Sequence, residues 1–215
     1  MTHIKGCIFD LDGVIVDTAK YHYLAWKRLA SELGFNFTEK QNEKLKGVSR
    51  MRSLDILLEV GNKNFDDDTK LKLADKKNKW YVEYISKMDT SEILPGVKDF
   101  LMLLKKSNIK ISLGSASKNS MLILENLKLK DCFDSIIDGN KVSKAKPDPE
   151  VFLLGAKELN LSPEECVVFE DAEAGVQAAK AANMKVIGIG SSSILHEADK
   201  VIKGFENQTL ELIQF

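Results

Sequence analysis

The stretch GCIFDLDGVIVDT, residues 6–18, begins as a short apolar run and then presents two closely spaced carboxylates. The run GCIF has the length and composition of a buried strand, and Asp10 and Asp12 follow it directly. Neighbouring carboxylates raise each other's pKa unless a cation or a hydrogen-bond donor offsets their repulsion. The pair therefore indicates either a bound cation or chemistry that needs unequal protonation states, and both indicate a functional site.

Three later apolar runs also have the character of buried parallel strands. They are IKISLG (109–114), CVVF (166–169) and KVIGIG (185–190). Segments with the apolar spacing of helices lie between the runs, at 96–108, 149–160 and 174–184. This alternation predicts an α/β fold with a Rossmann-like parallel sheet and helices on both of its faces.

Residues 18–92 break the alternation and show only helical apolar stripes, around Trp26, Leu54 and Trp80. The Pro-Gly turn in LPGV, residues 94–97, marks the return to the sheet. We therefore expect a catalytic core formed by 1–17 and 93–215 and an inserted helical cap formed by 18–92. Within the cap, the acidic run NKNFDDDTK, residues 62–70, is predicted to be a solvated loop that leads into a helix.

The composition narrows the class of protein. The chain has 215 residues and a formal net charge of -1, so no broad basic surface for nucleic acid is expected. The sequence shows neither a signal peptide nor an apolar run long enough to span a bilayer. The three cysteines, Cys7, Cys132 and Cys166, are widely spaced among apolar residues and are predicted to be reduced core residues. These features predict a soluble cytoplasmic protein with no membrane partner.

Polar side chains follow three of the predicted strands. Asp10 and Asp12 follow the first, Ser115 and its neighbours follow the second, and Glu170 and Asp171 follow the third. Ligands of open parallel sheets bind outside the carboxyl ends of the strands, so these groups should converge. A loop lysine in KAKPDPE, Lys146, would supply the missing positive charge.

This set of residues is suited to phosphoryl transfer. Three carboxylates form the hard oxygen site that Mg²⁺ prefers, and an aspartate such as Asp10 can attack phosphorus to form an aspartyl-phosphate. Ser115 with nearby backbone amides can hold phosphate oxygens, and Lys146 can act as a point charge. Asp12 could then serve as the general acid and base for the sugar or water oxygen.

The same residues also fit plainer roles. A calcium-binding loop that begins at Asp10 is excluded, because its fifth and sixth positions would be Val14 and Ile15. Simple helix capping stays open for several positions. These are Asp171 and Ser117 as N-caps and Lys46–Gly47 as a helix C-terminus. Packing on the Trp26 stripe is the simplest role for His22.

A phosphoacceptor signalling domain of the receiver type is an alternative of a different class, since it also uses an acidic cluster, Mg²⁺, an aspartate and a lysine. Such domains need no large cap, and their acceptor lies on a later strand than the acid pair. Here Asp10 follows the first strand directly, and a long helical segment comes after it. These two features favour an enzyme.

Three strings and one lysine resemble the four motifs of the haloacid dehalogenase superfamily of phosphotransferases. They are DLDGVIVDT (10–18), GSAS (114–117), Lys146 and EDAEAG (170–175). The resemblance covers essentially the whole chain, including a helical cap inserted after the first motif. Five further strings are most similar to sugar-phosphate mutases of the superfamily. They are DTAKYH, LKGVSR, KKNKWY, SASKN and KPDPEVF.

The resemblance implies a role for each matching residue. Asp10 would be the nucleophile and Asp12 the general acid/base. Mg²⁺ would be held by the Asp10 carboxylate, the Asp12 backbone carbonyl, Glu170 and Asp171. The transferring phosphoryl group would be held by Ser115, Ala116 and Lys146, and the other phosphate by Arg50, Ser117, Lys118 and Asn119. The remaining substrate-facing or hinge positions would be Thr18, His22, Lys46, Gly47, Ser53 and Lys77.

The implied activity is that of an isomerase with a small phosphosugar substrate and Mg²⁺ as cofactor. It would interconvert β-D-glucose 1-phosphate and glucose 6-phosphate through an aspartyl-phosphate and a bisphosphate intermediate, as a monomer. A sugar-phosphate phosphatase with the same cap is the alternative within the superfamily. The peptide bond between Lys146 and Pro147 is also predicted to be cis, because X-Pro bonds adopt this form most readily.

Overall fold

The structure of the chain is a computed structural model that describes residues 3–45 and 48–215. The chain forms two compact units. Thr18–Lys87 forms the cap unit, and the described residues up to Asp17 form the sheet unit together with Met88–Phe215. No helix within the described ranges is both long enough and apolar enough to cross a membrane.

The second division between the units falls after Lys87 rather than at residue 92, where the sequence predicted it. Hydrogen bonding within the sheet unit gives the reason. Ile93 forms an isolated antiparallel bridge with Val16, and the Leu94 N–H donates to the Ile15 carbonyl at 3.0 Å. These contacts fix the returning segment to the chain that follows the first strand.

The described part of the sheet unit contains one six-stranded parallel sheet in the order β3-β2-β1-β4-β5-β6. The strands are β1 (Gly6–Phe9), β2 (Lys110–Gly114), β3 (Ser135–Ile137), β4 (Cys166–Glu170), β5 (Lys185–Ile189) and β6 (Lys200–Ile202). The prediction of a parallel α/β fold is confirmed. The strand order reverses direction at β1 and β4, and such switch points are where ligands bind in open α/β sheets.

The helices of the cap unit are α1 (Ala19–Glu32), α2 (Glu39–Asn42), α3 (Arg50–Val60) and α4 (Asp67–Ile85). Those of the sheet unit are α5 (Val97–Lys106), α6 (Ser120–Asn126), α7 (Glu150–Glu158) and α8 (Glu173–Ala181). Short 3₁₀ turns occur at Glu43–Leu45, Thr90–Glu92, Lys130–Cys132, Pro163–Glu165 and Leu210–Ile213. The Lys146–Pro147 peptide bond is cis, as predicted.

Successive residues of β1 point to opposite faces of the sheet and pack against different helices. Ile8 belongs to a buried cluster with residues of α7 and α8, among them Phe152 and Val176. Phe9 stacks on Phe169 with ring centroids 4.5 Å apart and meets Phe100 of α5 edge-on at 6.4 Å. Helices therefore cover both faces, and β1 and β4 are buried in the middle.

Two strands, β3 and β6, were not predicted from the sequence. Each has three residues, and every residue of β6 is partly exposed because this strand lies at the sheet edge. A run of three residues is too short to show an apolar period. Such a strand is recognised only from its pairing with a neighbouring strand in the structure.

The acidic run of the cap unit is only partly a loop. The helix α4 begins at Asp67, inside the predicted loop, because Asp66 is its N-cap and accepts a hydrogen bond from Thr69 N at 2.7 Å. Asp67 and Asp68 then occupy the first turn, where carboxylates interact favourably with the helix dipole. The three aspartates of the run therefore form the N-terminus of α4.

The cysteines are free thiols. Cys7 and Cys166 are buried in β1 and β4, as predicted, whereas Cys132 is only half-buried. Burial raises the pKa of the Cys7 thiol well above its usual value and that of Cys166 to about 12. Both buried cysteines therefore remain protonated and unreactive at neutral pH.

Candidate active site

Asp10 and Asp12 lie where the central strand β1 ends. The Asp10 N–H donates to the Phe169 carbonyl at 3.0 Å, so the pairing with β4 continues one residue beyond the strand and fixes the Asp10 backbone. Asp10 is buried, with 7% of its surface exposed, and Asp12 is half-buried. The first strand thus delivers a buried carboxylate to the switch point of the sheet.

Lys146 connects the ends of β1 and β4. Its ammonium donates to Asp10 Oδ1 at 2.7 Å and to Glu170 Oε1 at 2.5 Å. The group is buried and lies 4.8 Å from the centre of the Phe152 ring. Burial lowers the pKa of Lys146, but the charges of Asp10 and Glu170 outweigh it and raise the pKa above the usual value. Lys146 is therefore a permanent cation at this site.

Asp10, Glu170 and Asp171 form the acidic cluster of the site. Each offers a carboxylate oxygen, and these oxygens all lie within 4.8 Å of one another. Burial, and then the charges of Glu170, Asp10 and Asp12, raise the pKa of Asp171 to about 8. Burial is also the main cause of the raised pKa of Glu170. One lysine does not offset three acids, so the cluster has the donors and the excess charge to hold a metal ion.

Two glycines leave room for the acids. A Cβ atom at Gly13 would lie 2.0 Å from Asp171 Oδ2, and one at Gly175 would lie 1.9 Å from Glu170 Oε1. Gly13 also has a φ of +78°, which side-chain-bearing residues rarely adopt. The sequence Asp-Gly after β1 therefore permits close approach of the Asp171 carboxylate to the turn.

The loop that follows β2, residues 115–119, is named the Ser115 loop. The Ser115 N–H donates to the Ile137 carbonyl at 2.9 Å, and the buried Ser115 Oγ accepts from Ser117 N at 3.1 Å. Ser117 Oγ accepts in turn from Asn119 N at 3.3 Å. Hydroxyls and backbone amides are thus concentrated in the loop where the sequence predicted a phosphate site.

The capping roles considered for two residues are wrong. The N-cap of α8 is Ala172, so Asp171 lies outside the helix and belongs to the acidic cluster. The N-cap of α6 is Asn119, and Ser117 lies two residues earlier. Glu170 Oε2 accepts from Ala172 N at 2.8 Å, so a carboxylate from β4 holds the start of α8.

In the cap unit, His22 of α1 and Lys77 of α4 lie together. Lys77 Nζ is 2.8 Å from His22 Nδ1, and the His22 ring stacks on Tyr81 with centroids 4.0 Å apart. The buried Lys77 ammonium also lies 4.4 Å from the centre of the Trp26 ring. Burial, and then the charges of Lys77 and Arg50, hold the pKa of His22 well below its usual value.

The other predicted cap residues that the structure describes lie on α3 and at the start of α1. Arg50 begins α3, with Nη1 3.9 Å from Asp75 Oδ1, and Ser53 is buried on the same helix. Thr18 is the buried N-cap residue of α1. Lys46 and Gly47, including their suggested role as a helix end, lie outside the described residues.

A family model described as "Haloacid dehalogenase-like hydrolase" matches residues 7–189 of the chain. The chain belongs to this family. The matched range begins in β1 and ends at the last residue of β5, so it includes all three acids of the cluster and Lys146. The resemblance inferred from the sequence motifs is confirmed.

Similar haloacid dehalogenase-like proteins include mutases and phosphatases. The chain is 43% identical to a β-phosphoglucomutase of Bacillus subtilis (strain 168), over 98% of this chain and 94% of the relative. A crystal structure of β-phosphoglucomutase from Clostridium difficile has a TM-score of 0.92 and 46% identity, covering 98% of this chain and 96% of that one. A phosphorylated carbohydrates phosphatase of Thermotoga maritima is 33% identical, over 86% and 84% of the two chains.

Two supporting residues of this haloacid dehalogenase-like site were missed from the sequence. Glu150, at the start of α7, accepts hydrogen bonds from Ser143 N at 2.9 Å and from Lys144 N at 2.7 Å, and so holds the loop that carries Lys146. Asn140, after β3, donates to the Lys118 carbonyl at 3.1 Å. A sequence signal was available for Asn140. The string SIID, residues 135–138, is a short apolar run that ends in an acid, as CIFD does at residues 7–10.

Proposed function

We propose that the chain is a Mg²⁺-dependent phosphosugar mutase that interconverts β-D-glucose 1-phosphate and glucose 6-phosphate. The observation that carries the proposal is the 43–46% identity to two β-phosphoglucomutases over nearly the whole of each chain. The acidic cluster alone would not distinguish a mutase from a phosphatase, because both classes occur among the relatives. A small phosphosugar is accordingly the proposed substrate.

Asp10 is proposed to be the nucleophile. One of its carboxylate oxygens attacks phosphorus, a P–O–Asp10 bond forms, and the bond between phosphorus and the sugar oxygen breaks. Asp12 gives a proton to the departing sugar oxygen. In the reverse sense, Asp12 takes the proton from the sugar hydroxyl that attacks the aspartyl-phosphate. The Lys146 ammonium, 2.7 Å from Asp10 Oδ1, offsets negative charge beside the transferring group.

The hard oxygen donors of Asp10, Glu170 and Asp171 fit Mg²⁺, and the Asp12 backbone carbonyl is proposed as a further ligand. A bound Mg²⁺ would withdraw electron density from the phosphoryl oxygens and offset the repulsion between phosphate and carboxylates. Burial and neighbouring carboxylates raise the pKa values of Glu170 and Asp171, and a cation bound at this place would offset both effects.

A mutase needs a second phosphate site, because the bisphosphate must present each of its phosphates to Asp10 in turn. We propose Ser115, Ala116 and Lys146 for the transferring phosphate. Arg50, Ser117, Lys118 and Asn119 are proposed for the other phosphate. Thr18, His22, Lys46, Gly47, Ser53 and Lys77 are proposed as substrate-facing or hinge positions. The monomeric state and the cytoplasmic location remain predictions from the sequence.

The test is an assay of product partition. The protein is incubated with Mg²⁺, β-glucose 1-phosphate and a trace of β-glucose 1,6-bisphosphate, and glucose 6-phosphate and free phosphate are measured together. Glucose 6-phosphate should form much faster than free phosphate. The Asp10→Asn variant, which keeps the size of the side chain, should form neither product and no acid-labile phosphoenzyme.

The second candidate is a sugar-phosphate phosphatase, which the Thermotoga maritima relative favours. It would use the same Asp10 intermediate but transfer the phosphoryl group to water. Free phosphate appearing faster than glucose 6-phosphate would establish this candidate and overturn the mutase proposal. Near-normal turnover by Asp10→Asn would exclude both.

A further inference from the structure

The turn that follows β3, residues 138–141, packs against the Ser115 loop and is named the β3 turn. The Gly139 N–H donates to the Ser117 carbonyl at 3.1 Å, and Asn140 Nδ2 donates to the Lys118 carbonyl at 3.1 Å. A Cβ atom at Gly139 would lie 2.2 Å from the Ala116 carbonyl oxygen. Three consecutive carbonyl groups of the Ser115 loop therefore face the β3 turn.

The β3 turn is held in shape by its own buried carboxylate. Asp138, which is 8% exposed, accepts from Asn140 N at 3.0 Å and from Asn140 Nδ2 at 3.0 Å. The Lys141 N–H donates to the Asp138 carbonyl at 3.0 Å and closes the turn. Because one amide proton of Asn140 is held by Asp138, its other proton is directed at the Lys118 carbonyl.

The hydrogen bonds from the β3 turn to the Ser115 loop also determine where the N–H groups of that loop point, because the peptide bond is planar. In a trans peptide the carbonyl of one residue and the N–H of the next point in opposite directions. Carbonyls of Ser117 and Lys118 that face the β3 turn therefore direct the N–H groups of Lys118 and Asn119 away from it. The Asn119 N–H already contacts the Ser117 hydroxyl, at 3.3 Å, so donors and hydroxyls lie on the same face.

An anion at the Ser115 loop would meet backbone donors on this face instead of carbonyl oxygens, which would repel it. We propose that Asn140 is a positioning residue for phosphate binding, because it keeps the Lys118 carbonyl turned away from the substrate. The inference rests on the proposed function of the Ser115 loop. It adds the β3 turn as the element that determines in which direction the carbonyl and N–H groups of that loop point.

The test uses two Asn140 variants of the whole chain. Asn140→Ala removes the donor, and Asn140→Asp keeps the shape but places a carboxylate oxygen beside the Lys118 carbonyl. The KM for β-glucose 1,6-bisphosphate in the mutase assay should rise about three- to tenfold for Asn140→Ala, the effect of one lost hydrogen bond, and further for Asn140→Asp. The loss should fall mainly on KM, because Lys118 and Asn119 are proposed for the phosphate that is not transferred, and this phosphate is bound alike in the ground and transition states.

A phosphoryl donor with one phosphate distinguishes a specific effect on the second phosphate site from a general loss of active enzyme. Hydrolysis of acetyl phosphate depends on Asp10 and not on the second phosphate site, so both variants should keep it within about twofold of wild type. Asn183→Ala is the matched control. Asn183 is an exposed asparagine with a φ of +58°, so this variant loses stability without touching the Ser115 loop.

An unchanged KM in both Asn140 variants would overturn the inference. So would equal losses in the mutase and acetyl phosphate reactions, or a rise in KM for Asn183→Ala at a comparable loss of Tm. A wild-type protein that releases phosphate but makes no glucose 6-phosphate would instead overturn the proposed function, and that result is visible before any variant is made.

Discussion

At the scale of single residues, Gly13 occupies a position where any side chain would collide with the acidic cluster. Gly13→Ala places Cβ 2.0 Å from Asp171 Oδ2 and requires that carboxylate to move. We expect the Mg²⁺ concentration needed for half-maximal activity to rise at least about tenfold, since metal affinity depends on ligand placement. Mg²⁺ titration of the phosphoryl-transfer rate measures this.

Gly34→Ala is the matched control for the positive φ. Gly34 has a φ of +86°, but a Cβ atom there would meet nothing within 4 Å. Both variants should lose stability, by about 1 kcal/mol from the backbone conformation, and only Gly13→Ala should lose Mg²⁺ affinity. Equal Mg²⁺ dependence of the two variants would show that Gly13 has no part in placing Asp171.

His22 provides a pH prediction at the same scale. Its pKa in the folded protein lies well below its usual value, so the unfolded chain takes up a proton near pH 6.5 while folded His22 stays neutral. The unfolded state therefore binds more protons below this pH, and the folding stability that depends on neutral His22 is lost as pH falls. NMR titration should show an uncharged His22 ring at pH 6.

The stability consequence is checked by denaturation at pH 7.5 and pH 5.5. His22→Gln should show a smaller loss between the two pH values than the wild type, because it lacks the group that titrates. His196→Gln, at an exposed position, serves as the control. A His22 ring that is charged at pH 6 would contradict the expected effect of burial beside Lys77.

At the scale of elements, the start of α7 holds the loop that carries Lys146. Glu150 accepts from both Ser143 N and Lys144 N through Oε2, which an uncharged glutamine amide can do less well. Glu150→Gln and Glu150→Ala should each lower kcat about 10- to 100-fold, since small misplacements of a charged group at the reacting centre carry losses of this size. Steady-state kinetics of phosphoryl transfer measure the effect.

Glu158→Gln is the matched control, because it tests whether the loss of any carboxylate on α7 would lower kcat. Glu158 lies at the other end of α7 and contacts Ser135 and Lys141. It should change stability with less than about a twofold change in kcat, as expected of most residues away from the reacting groups. Comparable kcat losses in the Glu150 and Glu158 variants would mean that Glu150 does not act through Lys146.

The elements also show what the sequence could predict. Four strands and the residues that end them, including Asp10 and Glu170, followed from apolar runs of ordinary length. The strands β3 and β6 are too short to carry a period, so Asp138 and Asn140 at the end of β3 went unrecognised. The sequence also placed Lys146 near the acids. The contact of Glu150 with Ser143, by contrast, depends on how the loop packs and leaves no local signal in the chain.

At the scale of the whole molecule, the mutase proposal requires both units to supply phosphate ligands. Arg50→Ala should therefore lower mutase turnover at least about tenfold more than it lowers acetyl phosphate hydrolysis. Only the mutase reaction needs a second phosphate-binding site. Product assays of both reactions on the same preparation measure this ratio.

Arg52→Ala is the matched control, because Arg52 lies on the same helix but pairs with Glu59 at 3.1 Å. It should leave the ratio of the two activities unchanged. Equal losses in both reactions for Arg50→Ala would remove Arg50 from the proposed ligands of the second phosphate.

The position of β1 in the sheet has a consequence for synthesis of the protein. β1 leaves the ribosome before the other strands of its sheet, yet it pairs with β2 and with β4, whose residues Cys166–Glu170 follow much later in the sequence. Pairings between distant segments form slowly and leave apolar strands unprotected in the meantime. The Asp10 backbone is therefore fixed only after most of the chain has been translated, because a nascent chain that stops before β4 lacks the Phe169 carbonyl to which the Asp10 N–H donates.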